Sequence, residues 1–277
     1  MDLFFCITLI GLGICLIIVI LYKDANKQYK FASFEQFRSI VDRSRYFDSL
    51  NTSDFKKRSC HTSYEYRNRY IESFRYFTDA EKARLVRLTN TALALLPLSI
   101  SENIQWVYAK IGTDIELGLP HTLGDELSVV ICLSNNPLNL LDDHELLEII
   151  CHEIVHVYQR LYKLQYINIV KSLGFLPYIS NVSPYCGYTK ASNPDTWGLY
   201  SYNSNVFLSV YDDALENNNA IYNIKSGKIQ LMGGMDGSVI QLDHPYEIVA
   251  CIIARIAIGK ADINCYDWTD KIKLMLF

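Results

Sequence analysis

Residues 145–160 read Glu145-Leu146-Leu147-Glu148-Ile149-Ile150-Cys151-His152-Glu153-Ile154-Val155-His156-Val157-Tyr158-Gln159-Arg160 and contain the pattern H-E-x-x-H. Just upstream, Asp142 and Glu145 have the spacing of a capping box, which sets a helix start about ten residues before His152. Leu146, Leu147, Ile150, Ile154, Val157 and Leu161 then recur at helical spacing, so the segment reads as a mostly buried amphipathic helix. On such a helix His152 and His156 stand one turn apart on one face, and both imidazoles can reach a single metal ion. Glu153 points to the side of that pair, where it can hold a metal-bound water. The alternative is a core helix whose histidines are satisfied by hydrogen bonds. Two histidines at this spacing with a glutamate between them favour the metal site.

Zinc at such a site polarises a scissile carbonyl and lowers the pKa of its water, and the glutamate takes the proton. A catalytic zinc needs a third protein ligand and one open position. Val157 to Lys163 supply neither a Gly nor a third His, so a third ligand shortly after the motif is excluded. A later glutamate is the other solution. Glu247 lies in His244-Pro245-Tyr246-Glu247-Ile248-Val249-Ala250-Cys251-Ile252, an almost wholly apolar helix with Pro245 suited to its first position and Gly259 to its end. A carboxylate on the first turn of a buried helix needs a partner or a cation. His244 and Glu216 are the alternative ligands, and Glu247 as a plain capping glutamate is the alternative role. Glu148, one turn before His152, reads as a supporting or solvated residue.

His152-Glu153-x-x-His156, with Glu247 heading a later helix, resembles the zincin metallopeptidases, specifically the glutamate-ligand group called gluzincins. Leu119 to Ile131 is similar to the turn and edge strand that precede the active-site helix in that group and pair with substrate backbone. The resemblance covers roughly residues 105–260. It implies a zincin-like domain with a mixed sheet and an edge strand over the active-site helix. It also implies zinc as cofactor, peptide-bond hydrolysis with Glu153 as general base, and a protein or peptide substrate. The oxyanion donor is open among His121, Tyr158, Arg160 and Tyr246. Asn193 and Asp195 read as a turn that can also line the cleft.

Composition sets the surroundings. In 277 residues the hydrophobic share is 50% and the charged share 20%, which suits one globular domain plus an extra apolar segment. Leu3 to Tyr22 carries no charge, and twenty such residues as a helix span about 30 Å, the thickness of a bilayer core. The sequence therefore predicts an N-terminal transmembrane anchor over residues 1–22. A linker and mainly helical part follow over 23–100, and the catalytic domain over 101–277. Lys23, Lys27 and Lys30 after the span favour a cytosolic catalytic domain. A net charge of −4 and the lack of a basic cluster with interleaved aromatics exclude nucleic acid as the main partner.

The order of expected elements, helices, strands, helix, strands, helix, is α+β. Thr78 and Glu81 form a second capping box that starts a helix to about Leu96. Strands are expected over Ile104–Ile111, Leu127–Leu133, Val206–Tyr211 and Ile221–Leu231, with Asn217-Asn218-Asn219 as a separator. Residues 49–63 read as a polar loop. Two other function classes stay open: a catalytically inactive zincin-fold membrane protein acting in binding or assembly, and a closed structural zinc site with a fourth ligand such as Cys151 or Cys186.

Overall fold

The structure, a computed structural model, describes residues 28–233, 244–260 and 268–277. Strand β1 (Tyr29–Phe31) is followed by helices α1 (Phe34–Arg43), α2 (Thr52–Lys57), α3 (Ser63–Glu72) and α4 (Asp79–Leu95). Strands β2 (Trp106–Lys110), β3 (His121–Gly124) and β4 (Val129–Leu133) complete a four-stranded sheet of order β1-β2-β4-β3. The first three neighbours run parallel, and β3 lies antiparallel on the edge. Through β1, the N-terminal segment is hydrogen-bonded into the same sheet as β2, β3 and β4.

Side chains along a strand alternate between faces, and this sheet is buried on both. Tyr108, Val129, Ile131 and Leu133 pack with Leu85 and Leu88 of α4. Ala109, Val130 and Cys132 pack with Phe37 of α1 and with Tyr66 and Tyr70 of α3. Helix α5 (Asp143–Leu161) lies on the first of these faces and carries the histidine motif. Its start is set as the sequence predicts: Asp142 accepts from the backbone of Glu145, whose side chain answers the Asp142 N–H. The Thr78–Glu81 box likewise opens α4. After α6 (Lys163–Ser172) comes a six-stranded antiparallel sheet of β5 (Leu176–Pro177), β6 (Thr189–Lys190), β7 (Tyr200–Tyr202), β8 (Asn205–Tyr211), β9 (Asn217–Asn223) and β10 (Lys228–Gly233). Helix α7 (Pro245–Ala257) then packs against α5, and α8 (Trp268–Leu276) closes the described chain.

Several expectations are corrected. The fold class is α+β without the expected membrane helix: among the described residues no helix is long and apolar enough to cross a membrane. The expected span, residues 3–22, lies outside the described residues. The supposed loop 49–63 contains α2, whose N-cap Asn51 and Asp54 exchange capping hydrogen bonds. Asn217–Asn219 is not a separator but the start of β9, paired with Ser209–Tyr211. The turn comes earlier, where the Asp212 carboxylate accepts from the backbone of Ala214 and Glu216. What read as one strand over 221–231 is β9 and β10 folded into a hairpin around Gly227, at φ +65°.

Candidate metal centre

One helical turn of α5 brings His152 and His156 together, with their Nε2 atoms 2.8 Å apart. The first turn of α7 faces them, and Glu247 Oε2 lies 3.3 Å from each Nε2. His156 and Glu247 are 1% and 3% exposed, while His152, at 20%, faces a cleft of about 830 Å³. A tetrahedral cation with ligand bonds of about 2.0–2.1 Å has ligand–ligand edges of about 3.3–3.4 Å. Both glutamate–histidine distances match that edge, and the histidine pair would open by about 0.5 Å. Two imidazole nitrogens and one carboxylate oxygen form a donor set suited to zinc. Among the described residues these three form the only such cluster, and no fourth His, Cys, Asp or Glu joins them.

Each of the three has an outer partner that aims it. Gln159 donates from Nε2 to the Tyr246 carbonyl (3.1 Å), which turns its Oε1 toward His156 Nδ1 at 2.7 Å. In the neutral form that a cation requires, His156 would therefore carry its proton on Nδ1 and present a bare Nε2. Asn193 is fixed the same way. Its Oδ1 accepts from the Asp195 backbone at 2.7 Å, so Nδ2 donates to Glu247 Oε1 at 3.1 Å and leaves Oε2 for the histidines. His152 Nδ1 sits 3.6 Å from the Cys251 sulfur. Burial opposes charge at Glu247 and His156 alike, but each favours the ionised form of the other: the carboxyl is held well below its usual range and the imidazole is raised. Gln159→Leu should weaken zinc binding by roughly 10- to 100-fold with the fold intact. Competition with a chromogenic chelator measures this, and unchanged affinity would remove Gln159 from the site.

Glu153 is buried at the cleft wall, and its Oε2 meets no hydrogen-bond partner among the described residues. Burial, and after it the Asp195 charge, lifts its carboxyl well above the ordinary range. Glu148 is not a ligand. It pairs with Arg255 (3.0 Å) and Lys260 (2.6 Å) and clamps α5 to the end of α7.

The other candidates have other partners. His244 caps α7, its Nδ1 accepting from the Tyr246 backbone at 3.2 Å, and Glu216 is exposed in the β8–β9 turn. Of the supposed oxyanion donors, His121 is buried and bonded at both nitrogens, to the Tyr70 hydroxyl (2.5 Å) and the Leu119 carbonyl (2.9 Å). Tyr158 packs against the tilted ring of Tyr162 and edge-on to Tyr166, and the Tyr246 hydroxyl meets that of Tyr200 at 3.0 Å; neither residue lines the cleft. Arg160 spends its guanidinium on Thr122 and Pro194. Cys151 is buried and Cys186 exposed, and neither joins the cluster. Gln159 and Cys251 were missed as site residues, and Asn193 was expected only as a turn residue that can line the cleft. The first two had a signal in helical spacing, three after His156 and four after Glu247.

No family model matches the chain, and neither a curated protein nor a solved structure matches it.

Proposed function

We propose that the protein is a zinc-dependent hydrolase of peptide bonds, a metallopeptidase of the gluzincin kind. The observation that carries this reading is Glu153: a buried carboxylate oxygen without a partner, on the residue next to His152, at the wall of the cleft that His152 and Glu247 also line. Leaving such an atom unsatisfied costs about 1–3 kcal/mol or more, which a reacting group regains when it binds substrate or water.

His152, His156 and Glu247 hold the cation. When bound, zinc supplies a Lewis acid that polarises a carbonyl and lowers the pKa of water. A bound cation would offset the burial that favours the neutral carboxyl, and Glu153 Oε2, once ionised, takes the proton of the attacking water and returns it to the departing amine. Asn193 and Gln159 keep Glu247 and His156 aimed while this happens. The cleft suits a peptide better than a phosphoester. Of the five Lys and Arg residues on its lining, Arg58, Arg255 and Lys260 are already paired with Glu116 and Glu148 and Arg69 donates to the Ser59 and Arg58 carbonyls, which leaves Lys57, whereas Leu117 and Leu119 stand exposed on its wall.

Glu153→Gln tests the reading. It keeps the shape and removes the proton acceptor, so cleavage of a mixed peptide library should fall by about 10²–10⁴-fold while zinc content stays the same. Equal cleavage by the variant would overturn the mechanism. Loss of zinc together with activity would make Glu153 part of the metal site and not the base.

A further inference from the structure

The outer edge of β3 is where an extended peptide would add as a further strand, and the chain itself has taken it. In an antiparallel pair, alternate residues turn both backbone groups outward. Thr122 is one of these: its N–H donates to Asp195 Oδ1 (2.8 Å) and its carbonyl accepts from Arg160 Nη2 (3.0 Å). The Thr122 hydroxyl is shared by the same two side chains. The next outward residue toward the cleft is Pro120, which has no N–H to offer. Leu117, Leu119, Pro120 and His121 line the cleft, but Thr122, Leu123 and Gly124 do not. In their place the wall is made by Ser192, Asn193, Pro194 and Asp195.

That segment is bolted down along its length. Ser192 donates its N–H (3.0 Å) and its hydroxyl (2.7 Å) to the two oxygens of the fully buried Asp54. Asn193 holds Glu247, Arg160 donates to the Pro194 carbonyl, and the Asp195 carboxylate lies 3.7 Å from the same guanidinium. Trp197 covers Arg160, whose guanidinium carbon stands 5.4 Å from the ring centre. Such a segment is a wall and not a lid.

We propose that Ser192–Asp195 is a fixed strap that takes the substrate's place on the outer edge of β3, so that the cleft accepts the end of a peptide chain and not the middle of a long extended one. The substrate half of this rests on the peptidase reading; the strap does not. A chain running along β3 past the metal site meets the strap, so at most a short stretch fits on that side of the scissile bond. Recognition then falls to side chains, with Leu117 and Leu119 offering an apolar surface, in place of backbone pairing.

Two measurements on the zinc-loaded full chain test it together. The first is amide hydrogen exchange at Thr122. The strap predicts protection comparable to the β4 amides, falling by at least ~100-fold in Asp195→Ala. Thr122→Val keeps the strand N–H and withdraws the shared hydroxyl; it serves if Asp195→Ala does not fold, with a drop in the same direction. Near-unprotected exchange at Thr122 in the wild type would overturn the strap. The second is digestion of a peptide mixture of graded length, read by mass spectrometry. New ends confined to the outermost one or two residues of each peptide support the proposal, and internal cleavage rising at least tenfold in Asp195→Ala supports it further. Internal cleavage of long peptides by the wild type would overturn it. A digest indistinguishable from that of Glu153→Gln would overturn the peptidase reading and with it the substrate half, while exchange at Thr122 still decides the strap.

Discussion

Glu247→Ala is expected to lower zinc affinity by roughly 10²–10³-fold, as is His156→Ala, whereas His244→Ala is expected to leave it unchanged. The size follows from a zinc-binding free energy of about 10–16 kcal/mol shared among four ligand positions, roughly 2.5–4 kcal/mol for each. The direction follows from geometry. Glu247 Oε2 stands 3.3 Å from both imidazole nitrogens, while the His244 ring is turned to its own helix, where Nδ1 caps the Tyr246 N–H. Alanine at 247 also leaves the Asn193 amide without its acceptor, so Asn193→Ala should weaken binding in the same direction by a smaller factor. Metal content after dialysis against a graded series of chelators reads all of these. Zinc retained by Glu247→Ala and lost from His244→Ala would move the site to the helix cap.

What could be read from the chain alone was what its local spacing carries. The starts of α4 and α5 are written in four-residue capping boxes, and Pro245 at the first position of α7 needs no tertiary contact to be recognised. The histidine pair is legible for the same reason: both residues lie on one helix. Glu247 was reachable because a carboxylate in an apolar helix needs a partner. The long-range contacts that aim these ligands were not reachable, although Gln159 stands three after His156 on the same helix. Asn193 meets Glu247 across 54 positions and Gln159 meets Tyr246 across 87, and neither distance has a sequence period. Asn193-Pro194-Asp195 does make the turn its composition suggests, through the Asn193 side chain and the Asp195 N–H. What was invisible is that this turn lies on the edge of β3. The tyrosines named as oxyanion donors lie away from the cleft for a local reason. Tyr158, Tyr162 and Tyr166 follow at four-residue intervals and associate ring to ring, with Tyr246 against Tyr166, so they belong to the core and not to the cleft.

The largest loss of stability is expected from Arg58→Met, through the same wall of the cleft. Arg58 is 10% exposed and meets Asp54 at 3.2 Å, Glu116 at 2.8 Å and the Tyr46 hydroxyl at 2.7 Å; its Nη2 also donates to the Ser192 carbonyl at 3.3 Å. Methionine fills much of the volume but leaves two buried carboxylates without their cation, a loss of about 3–5 kcal/mol. For a chain of this size that lowers Tm by roughly 6–20 °C. The turn that carries Glu116 raises the stakes, because Glu116, Leu117 and Gly118 come one after another at φ +45°, +59° and +73°. Each non-glycine residue there is disfavoured by about 1–2 kcal/mol and is held in place by the anchoring of Glu116 to Arg58, Tyr46 and Tyr66. The pH dependence has a definite sign. Burial pushes the Glu116 carboxyl up, but Arg58 and the hydrogen bonds overcome it and hold the group below its ordinary range. A depressed carboxyl stabilises the fold above its unfolded pKa, and that contribution is lost as pH falls through the folded value. Without Arg58 the carboxyl regains a raised pKa, and once protonated it is no longer a buried charge. The difference between wild type and Arg58→Met should therefore be greatest near neutrality and shrink as the solution is made acid. Urea unfolding of both proteins at pH 7 and near pH 4 measures it, and a gap that stays constant across that range would show that Arg58 stabilises the wall by packing alone.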